Sequence, residues 1–263
     1  TGFAPLPIEN DILEQLTGEQ QVNTFTSGDQ TSPRIAELAD GGYVVVWTSS
    51  GQDDANTTSR GIFAQRFDAF GAAVGGEFQV NDIDIGDQIQ PRVTGLSTGE
   101  FVVAWTEFGR DGSINGVFVQ RYTADGSVNG DVILANETTA NSQDSAQISD
   151  LGGGRFLMTW VDSGADGNSS GIFGRVFAAA GPPEGGEFQL NTSPSGTQNR
   201  PRTDTLPDGS VMVVWQDAGG ADGSGSGVFA QRIDTTGALV NFDGSTALPG
   251  VSTEVQINTT TDG

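Results

Sequence analysis

Apolar residues along this chain fall in short clusters separated by polar, glycine-rich stretches, and the clusters recur. The clearest set is Tyr43–Trp47 (YVVVW), Phe101–Trp105 (FVVAW), Phe156–Trp160 (FLMTW) and Val211–Trp215 (VMVVW), with closing tryptophans 58, 55 and 55 residues apart. Runs this short, rich in β-branched and aromatic residues and bounded by turn signals, predict strands. Each is followed by a second run (GIFAQRF 61–67, GVFVQRY 116–122, GIFGRVF 171–177, GVFAQRI 227–233) and preceded by another (32–38, 90–96, 145–151, 200–206). A fourth element closes each unit at EFQVN 77–81, DVILAN 131–136, EFQLN 187–191 and EVQIN 254–258. The repeats run at about 24–81, 82–136, 137–191 and 192–258, within a repeat domain 19–263 that follows an N-terminal extension 1–18. Helix is expected only as a turn or two within residues 8–16.

Short turns such as ADGG 39–42 and PDGS 207–210 supply glycine where tight hairpins need φ > 0, so each unit reads as a four-stranded antiparallel sheet. The second strand is apolar at consecutive positions, which buries both of its faces; a sheet with one face in water would alternate. Four-stranded units stacked face to face around an axis describe an all-β β-propeller of four repeats of about 56 residues, whole or as part of a larger ring or array. EQQVN 19–23 matches the fourth strand as well, so four units are accompanied by five outer strands. The spare one predicts either a fragment of a longer array or pairing with another molecule through terminal strands.

Composition narrows the chemistry. The chain has no Cys and no His, and its 11 basic residues are all Arg. Disulfides, thiolate metal sites, a Ser-His-Asp triad and a Schiff-base lysine are thereby excluded. The net charge of −23 repels nucleic acid and anionic lipid, and no apolar stretch is long enough to insert in a membrane. No charged-then-apolar leader is visible at the N-terminus.

The loop after each second strand carries acids: Asp53 and Asp54, Asp111, Asp166 and Asp222, with Glu107, Asp162 and Asp217 four or five residues upstream of the last three. Two readings stand side by side. Carboxylates and exposed carbonyls in a glycine-rich loop suit Ca²⁺, and Asp-Gly is also ordinary turn chemistry. The first strands carry Arg34, Arg92 and Arg202 at matching positions, with Gln147 in the third copy. In a propeller this strand lines the central channel, so the four form a ring able to face an anionic ligand; the competing reading pairs them with carboxylates such as Glu37 or Asp204. Arg66, Arg121 and Arg232, interrupted by Val176, are expected to tie blades together. The four tryptophans read as core.

The phrases GGEFQVN, DGG-YVVVW and DG-x-x-x-G-[IV]-FAQR-[FY] resemble a tandem repeat of very large secreted bacterial surface proteins, many of which carry haemolysin-type, RTX calcium-binding repeats. The resemblance spans Glu19 to Gly263. It implies secretion, to the medium or the cell surface, and a surface or adhesive role; the RTX nonapeptide itself is absent as an array, so Ca²⁺ binding is not carried over from it. The expected function is a non-catalytic binding or structural module, stabilised by Ca²⁺ and recognising a glycan or cell-surface ligand. One alternative is a self-assembling subunit that pairs through its spare edge strand. The other is a propeller glycoside hydrolase or polysaccharide lyase.

Overall fold

A computed structural model of the chain describes residues 18–53, 59–83, 86–167, 169–192, 196–220, 225–246 and 252–258. The extension's expected helical turn, Asp54 and Asp222 lie outside them. Four antiparallel sheets follow one another along the chain. Blade 1 is β1 (Gln30–Glu37), β2 (Tyr43–Ser50), β3 (Arg60–Phe67) and β4 (Ala73–Gln79); blade 2 is β5 (Gln88–Gly95), β6 (Phe101–Phe108), β7 (Asn115–Tyr122) and β8 (Ile133–Leu134). Blade 3 is β9 (Gln143–Gly152), β10 (Arg155–Asp162), β11 (Gly171–Phe177) and β12 (Pro183–Gln189). Blade 4 is β13 (Gln198–Thr205), β14 (Val211–Asp217), β15 (Gly227–Ile233), β16 (Leu239–Val240) and β17 (Val255–Gln256). In this last blade both β16 and β17 pair with β15, so the outer strand is split by an inserted loop.

The arrangement is propeller-like. The first strands lie against one another at the inner edge, β1 by β5, β5 by β9 and β9 by β13, and the sheets stack face on face behind them. Gly41, Gly99 and Gly209 sit at φ 81°, 93° and 82° in the tight turns between first and second strands, a region open to glycine at little cost.

One face of each blade is aromatic and the other aliphatic, because side chains alternate along a strand. Val44, Val46, Ile62 and Ala64 of blade 1 pack on Phe101, Val103, Trp105, Phe118 and Tyr122 of blade 2. The same arrangement joins blade 2 to Phe156, Met158, Trp160, Phe173 and Phe177 of blade 3. It recurs between Leu157, Val161 and Ile172 of blade 3 and Val211, Val213, Trp215, Phe229 and Ile233 of blade 4. Next to the first-to-second-strand turn of three blades directly paired rings stack: Tyr43 on Phe67, Phe101 on Tyr122 and Phe156 on Phe177, with centroids 5.0, 4.9 and 4.8 Å apart.

The inner edge is tight. A Cβ on Gly95 would stand 2.2 Å from the Glu37 carbonyl oxygen of the neighbouring blade. Gly95→Ala therefore has to push β5 away from β1, an overpacking cost of about 1–3 kcal/mol. The expected result is a melting temperature lower by roughly 2–12 °C, read by circular dichroism. An unchanged melting temperature would show that these two blades part without cost.

Candidate functional site

Each first strand is interrupted at one position by the same bulge. Ser32, Gln90, Ser145 and Arg200 adopt φ of 55°, 56°, 57° and 55°. Pairing skips a step at the bulge: between Thr31 and Arg34, between Ile89 and Arg92, between Asn199 and Arg202, and opposite Thr159 and Val161 in blade 3. A left-handed non-glycine residue is strained, and such strain collects at functional positions. Proline follows in three blades (Pro33, Pro91, Pro201); without an N–H it leaves no donor orphaned in the bulge. The residue after it is Arg34, Arg92, Gln147 or Arg202, so the bulge aims the whole predicted ring.

The structure brings these residues together. Each arginine donates from Nη1 to the carbonyl of the proline before it, at 2.7 Å for Arg34, 2.8 Å for Arg92 and 2.7 Å for Arg202. Arg92 Nε also donates to Gln147 Oε1 at 3.3 Å, and the Ser145 N–H donates to Gln90 Oε1 at 3.2 Å, joining blades 2 and 3 across the channel strands. Arg92 is pushed down to about 10, first by its burial and then by the neighbouring guanidiniums of Arg34 and Arg202. Seven of the chain's arginines make ion pairs with carboxylates among the described residues: Arg60, Arg66, Arg110, Arg121, Arg155, Arg175 and Arg232. The four without such a pair there (Arg34, Arg92, Arg200 and Arg202) all lie on first strands. Glu37 and Asp204 pair with none of them.

The repeated acids do a different job. Gln143 Nε2 donates to Asp162 Oδ2 at 3.0 Å, and the Ala165 N–H donates to Oδ1 at 3.0 Å. In blade 4, Gln198 Nε2 donates to Asp217 Oδ2 at 2.8 Å and the Gly219 N–H to Oδ1 at 2.6 Å. Glu107 takes the Trp105 indole N–H at 3.0 Å and the Arg110 guanidinium at 3.4 Å, while burial pushes its carboxyl up. Asp53 accepts from Ser59 Oγ at 2.9 Å and Asp111 from the Ser113 N–H at 2.9 Å. Asp53, Asp111 and Asp166 fold under the third strand, close against its first glycine: a Cβ on Gly61, Gly116 or Gly171 would come within 3.3, 3.0 and 3.2 Å of them. Among the described residues no group of three or more carboxylates converges as a metal ion requires. These loops are built as turns and staples.

Upstream of the acids runs a relay that the repeat alignment left unread. Backbone N–H groups of Ile62, Val117 and Ile172 donate to Asn81, Asn136 and Asn191 Oδ1 at 2.7, 2.9 and 2.8 Å. Each Asn Nδ2 then donates to a glutamine seven residues on, Gln88, Gln143 or Gln198, at 3.1, 3.2 and 3.1 Å. The constant Asn-to-Gln interval was the available signal. The expected ties by arginine also form in part: Arg66 reaches the Asp125 carbonyl of blade 2 at 2.7 Å and Arg121 the Ala178 carbonyl of blade 3 at 3.3 Å. Arg232 stays within its own blade, with Asp208 and the Phe242 carbonyl.

No protein-family model matches the sequence, and no curated protein sequence matches it. Solved structures do share its fold. An α-L-arabinofuranosidase of Fusarium graminearum in complex with an iminosugar inhibitor is similar at TM-score 0.57 and 15% identity, over 82% of this chain and 68% of that one. A thermostable family-43 glycoside hydrolase is similar at TM-score 0.52 and 13% identity, over 88% and 80%. A Hadza microbial sialidase is similar at TM-score 0.52 and 12% identity, over 80% of this chain and 44% of that one. At these identities the likeness is one of fold. It corrects the expectation of an RTX-type, non-catalytic adhesin module: the three structures that share this arrangement are glycosidases and none is such a repeat protein.

Proposed function

We propose that this chain is a glycan-processing propeller acting outside the cell, whose channel holds a sugar bearing a carboxylate. The observation that carries the reading is the distribution of arginines. In a chain of net charge −23, four guanidiniums have no carboxylate pair among the described residues, and all four stand on the inner strands. Mutual repulsion and burial at Arg92 are offset when an anion enters, and a planar guanidinium matches a carboxylate with two parallel hydrogen bonds. The glycan is then a substrate rather than an anchor. Fold likeness to glycosidases supports hydrolysis, which requires carboxyl groups at the bound sugar. At the position before the left-handed residue the four blades carry Thr31, Ile89, Asp144 and Asn199, so only blade 3 offers an acid there. Asp144 is half-buried, three residues before Gln147, and is the candidate catalytic acid.

The test is a panel of uronate-bearing and neutral oligosaccharides, scored for binding by calorimetry and for new reducing ends. Acidic members are expected to bind, and Arg92→Gln to weaken them about 10- to 100-fold, the worth of one charged hydrogen-bonded contact. Asp144→Asn is expected to stop turnover and leave binding in place. Equal binding of neutral and acidic sugars, or an Arg92→Gln variant that binds as the wild type does, sinks the proposal.

A further inference from the structure

Blade 3 departs from the other blades at the channel itself. Where their first strands read TSPR 31–34, IQPR 89–92 and NRPR 199–202, blade 3 reads DSAQ 144–147. The bulge is kept, with Ser145 at φ 57°, so Gln147 stands in the register of the arginines. Arg34, Arg92, Gln147 and Arg202 each pair with the residue just before a tryptophan: Val46, Ala104, Thr159 and Val214. The repeat has room for a side chain here, and an amide occupies it, at 8% exposure.

Both ends of that amide are engaged. Gln147 Oε1 accepts from Arg92 Nε at 3.3 Å, and Nε2 donates to the Ser145 carbonyl at 3.3 Å. Arg92 Nη1 is held in turn by the Pro91 carbonyl at 2.8 Å. The guanidinium is thus fixed at two edges by neutral acceptors, and its charge is oriented without being cancelled. Glutamate would differ from this residue by a single atom and would pair with Arg92 from the same place. The like charges of Arg34 and Arg202 act on Arg92 from across the channel, so a carboxylate at position 147 would relieve repulsion. A chain with 34 acidic residues against 11 arginines places none there. Stability given up at a binding position is a common mark of function.

We propose that Gln147 determines the specificity of the channel: its amide positions Arg92 and leaves the ring's positive charge to a carboxylate of the substrate. The inference rests on the channel reading given under Proposed function. It adds the residue that decides between a ring open to an acidic sugar and a ring neutralised by the protein itself.

Gln147→Glu is the test, scored by calorimetry with glucuronate, with glucose as the neutral counterpart, and by thermal melting without ligand. The variant is expected to bind glucuronate about 10- to 100-fold more weakly than the wild type, the worth of a charged contact now made internally. It should also melt about 2–4 °C higher, because the new ion pair outweighs the long bond to the Ser145 carbonyl that the amide gives up. Added salt should narrow that lead by screening. Weaker binding together with higher stability separates this role from damage to packing. Gln147→Met, uncharged and similar in length, keeps the ring's charge and loses the orientation, so it should weaken binding with no gain in melting temperature. A Gln147→Glu variant that binds glucuronate as the wild type does overturns the inference and leaves the channel reading standing. A Gln147→Glu variant that melts no higher than the wild type overturns it too, as does Gln147→Met binding at full strength. A wild type that binds no glucuronate fails the channel reading, and this inference falls with it.

Discussion

Gln143→Leu is expected to destabilise the protein by about 3–5 kcal/mol, although it replaces one buried side chain with another of similar size. Gln143 is fully buried, and it closes the relay from blade 2 to blade 3. Its Oε1 accepts from Asn136 Nδ2 at 3.2 Å, and its Nε2 donates to Asp162 Oδ2 at 3.0 Å and to the Ala140 carbonyl at 2.8 Å. Leucine fills the volume and leaves a carboxylate and a carbonyl without that donor, and an amide without that acceptor. Buried polar groups deprived of a partner cost roughly 1–3 kcal/mol each, more when charged. Leucine's gain in apolar burial does not offset three such losses. For a chain of this size the melting temperature should fall by roughly 10 °C or more. Gln20→Leu, at an exposed position, should leave it within a degree or two. A Gln143→Leu variant that melts with the wild type would show the relay to be a passenger of the fold.

That relay also explains what could be read from sequence. The blades were legible because burial on both faces of β2, β6 and β10 writes continuous apolar runs, which β14 repeats in sequence, and the tight turns between first and second strands need glycine. The ring of Arg34, Arg92, Gln147 and Arg202 was legible as a set, since position in the repeat fixes position in the channel. Its special geometry was not: a left-handed residue before proline has no side-chain signature, and Ser32, Gln90, Ser145 and Arg200 share none. The loop acids were ambiguous because Asp before Gly serves a turn and a metal equally; Gly61, Gly116 and Gly171, a signal in the repeat itself, leave the room in which Asp53, Asp111 and Asp166 sit. The resemblance to adhesin repeats misled about function for a related reason. Its phrases, FAQR and EFQVN, hold Ala64, Gln65 and Arg66, and Val80 and Asn81, which are buried and pack one blade on the next. Such phrases specify a blade and carry no information about what its channel holds. The channel residues lie in the first strand, outside the quoted phrases.

Asp162 should make the protein less stable as pH rises from about 4 to about 6. Its carboxyl is fully buried at the end of β10, and that burial pushes it up to about 6 from an ordinary value near 4; the Ala165 N–H and Gln143 hydrogen bonds only partly oppose the shift. The folded protein therefore holds a proton that the unfolded chain has already released between those two values. Stability falls wherever the native state binds more protons, so the contribution is lost progressively as pH climbs through this window and stays lost above it. A shift of about two units corresponds to about 3 kcal/mol. Several exposed carboxylates work in the other direction and at lower pH: Glu184 and Asp208, held down by Arg155 and Ser210, lose their contribution as pH drops below about 4. The Asp162 effect is therefore isolated as a difference between wild type and a variant without the carboxyl. Blade 1 supplies the design, since Ser49 occupies the same place and is fully buried, with Gln30 Nε2 3.5 Å from its hydroxyl. Asp162→Ser keeps an acceptor within reach of Gln143 and removes the titration. Denaturant unfolding at pH 4 and pH 7 should show the wild type losing about 3 kcal/mol more than Asp162→Ser between the two. Equal losses in both proteins would mean that Asp162 ionises in its buried site without penalty, and that water or a cation reaches it there.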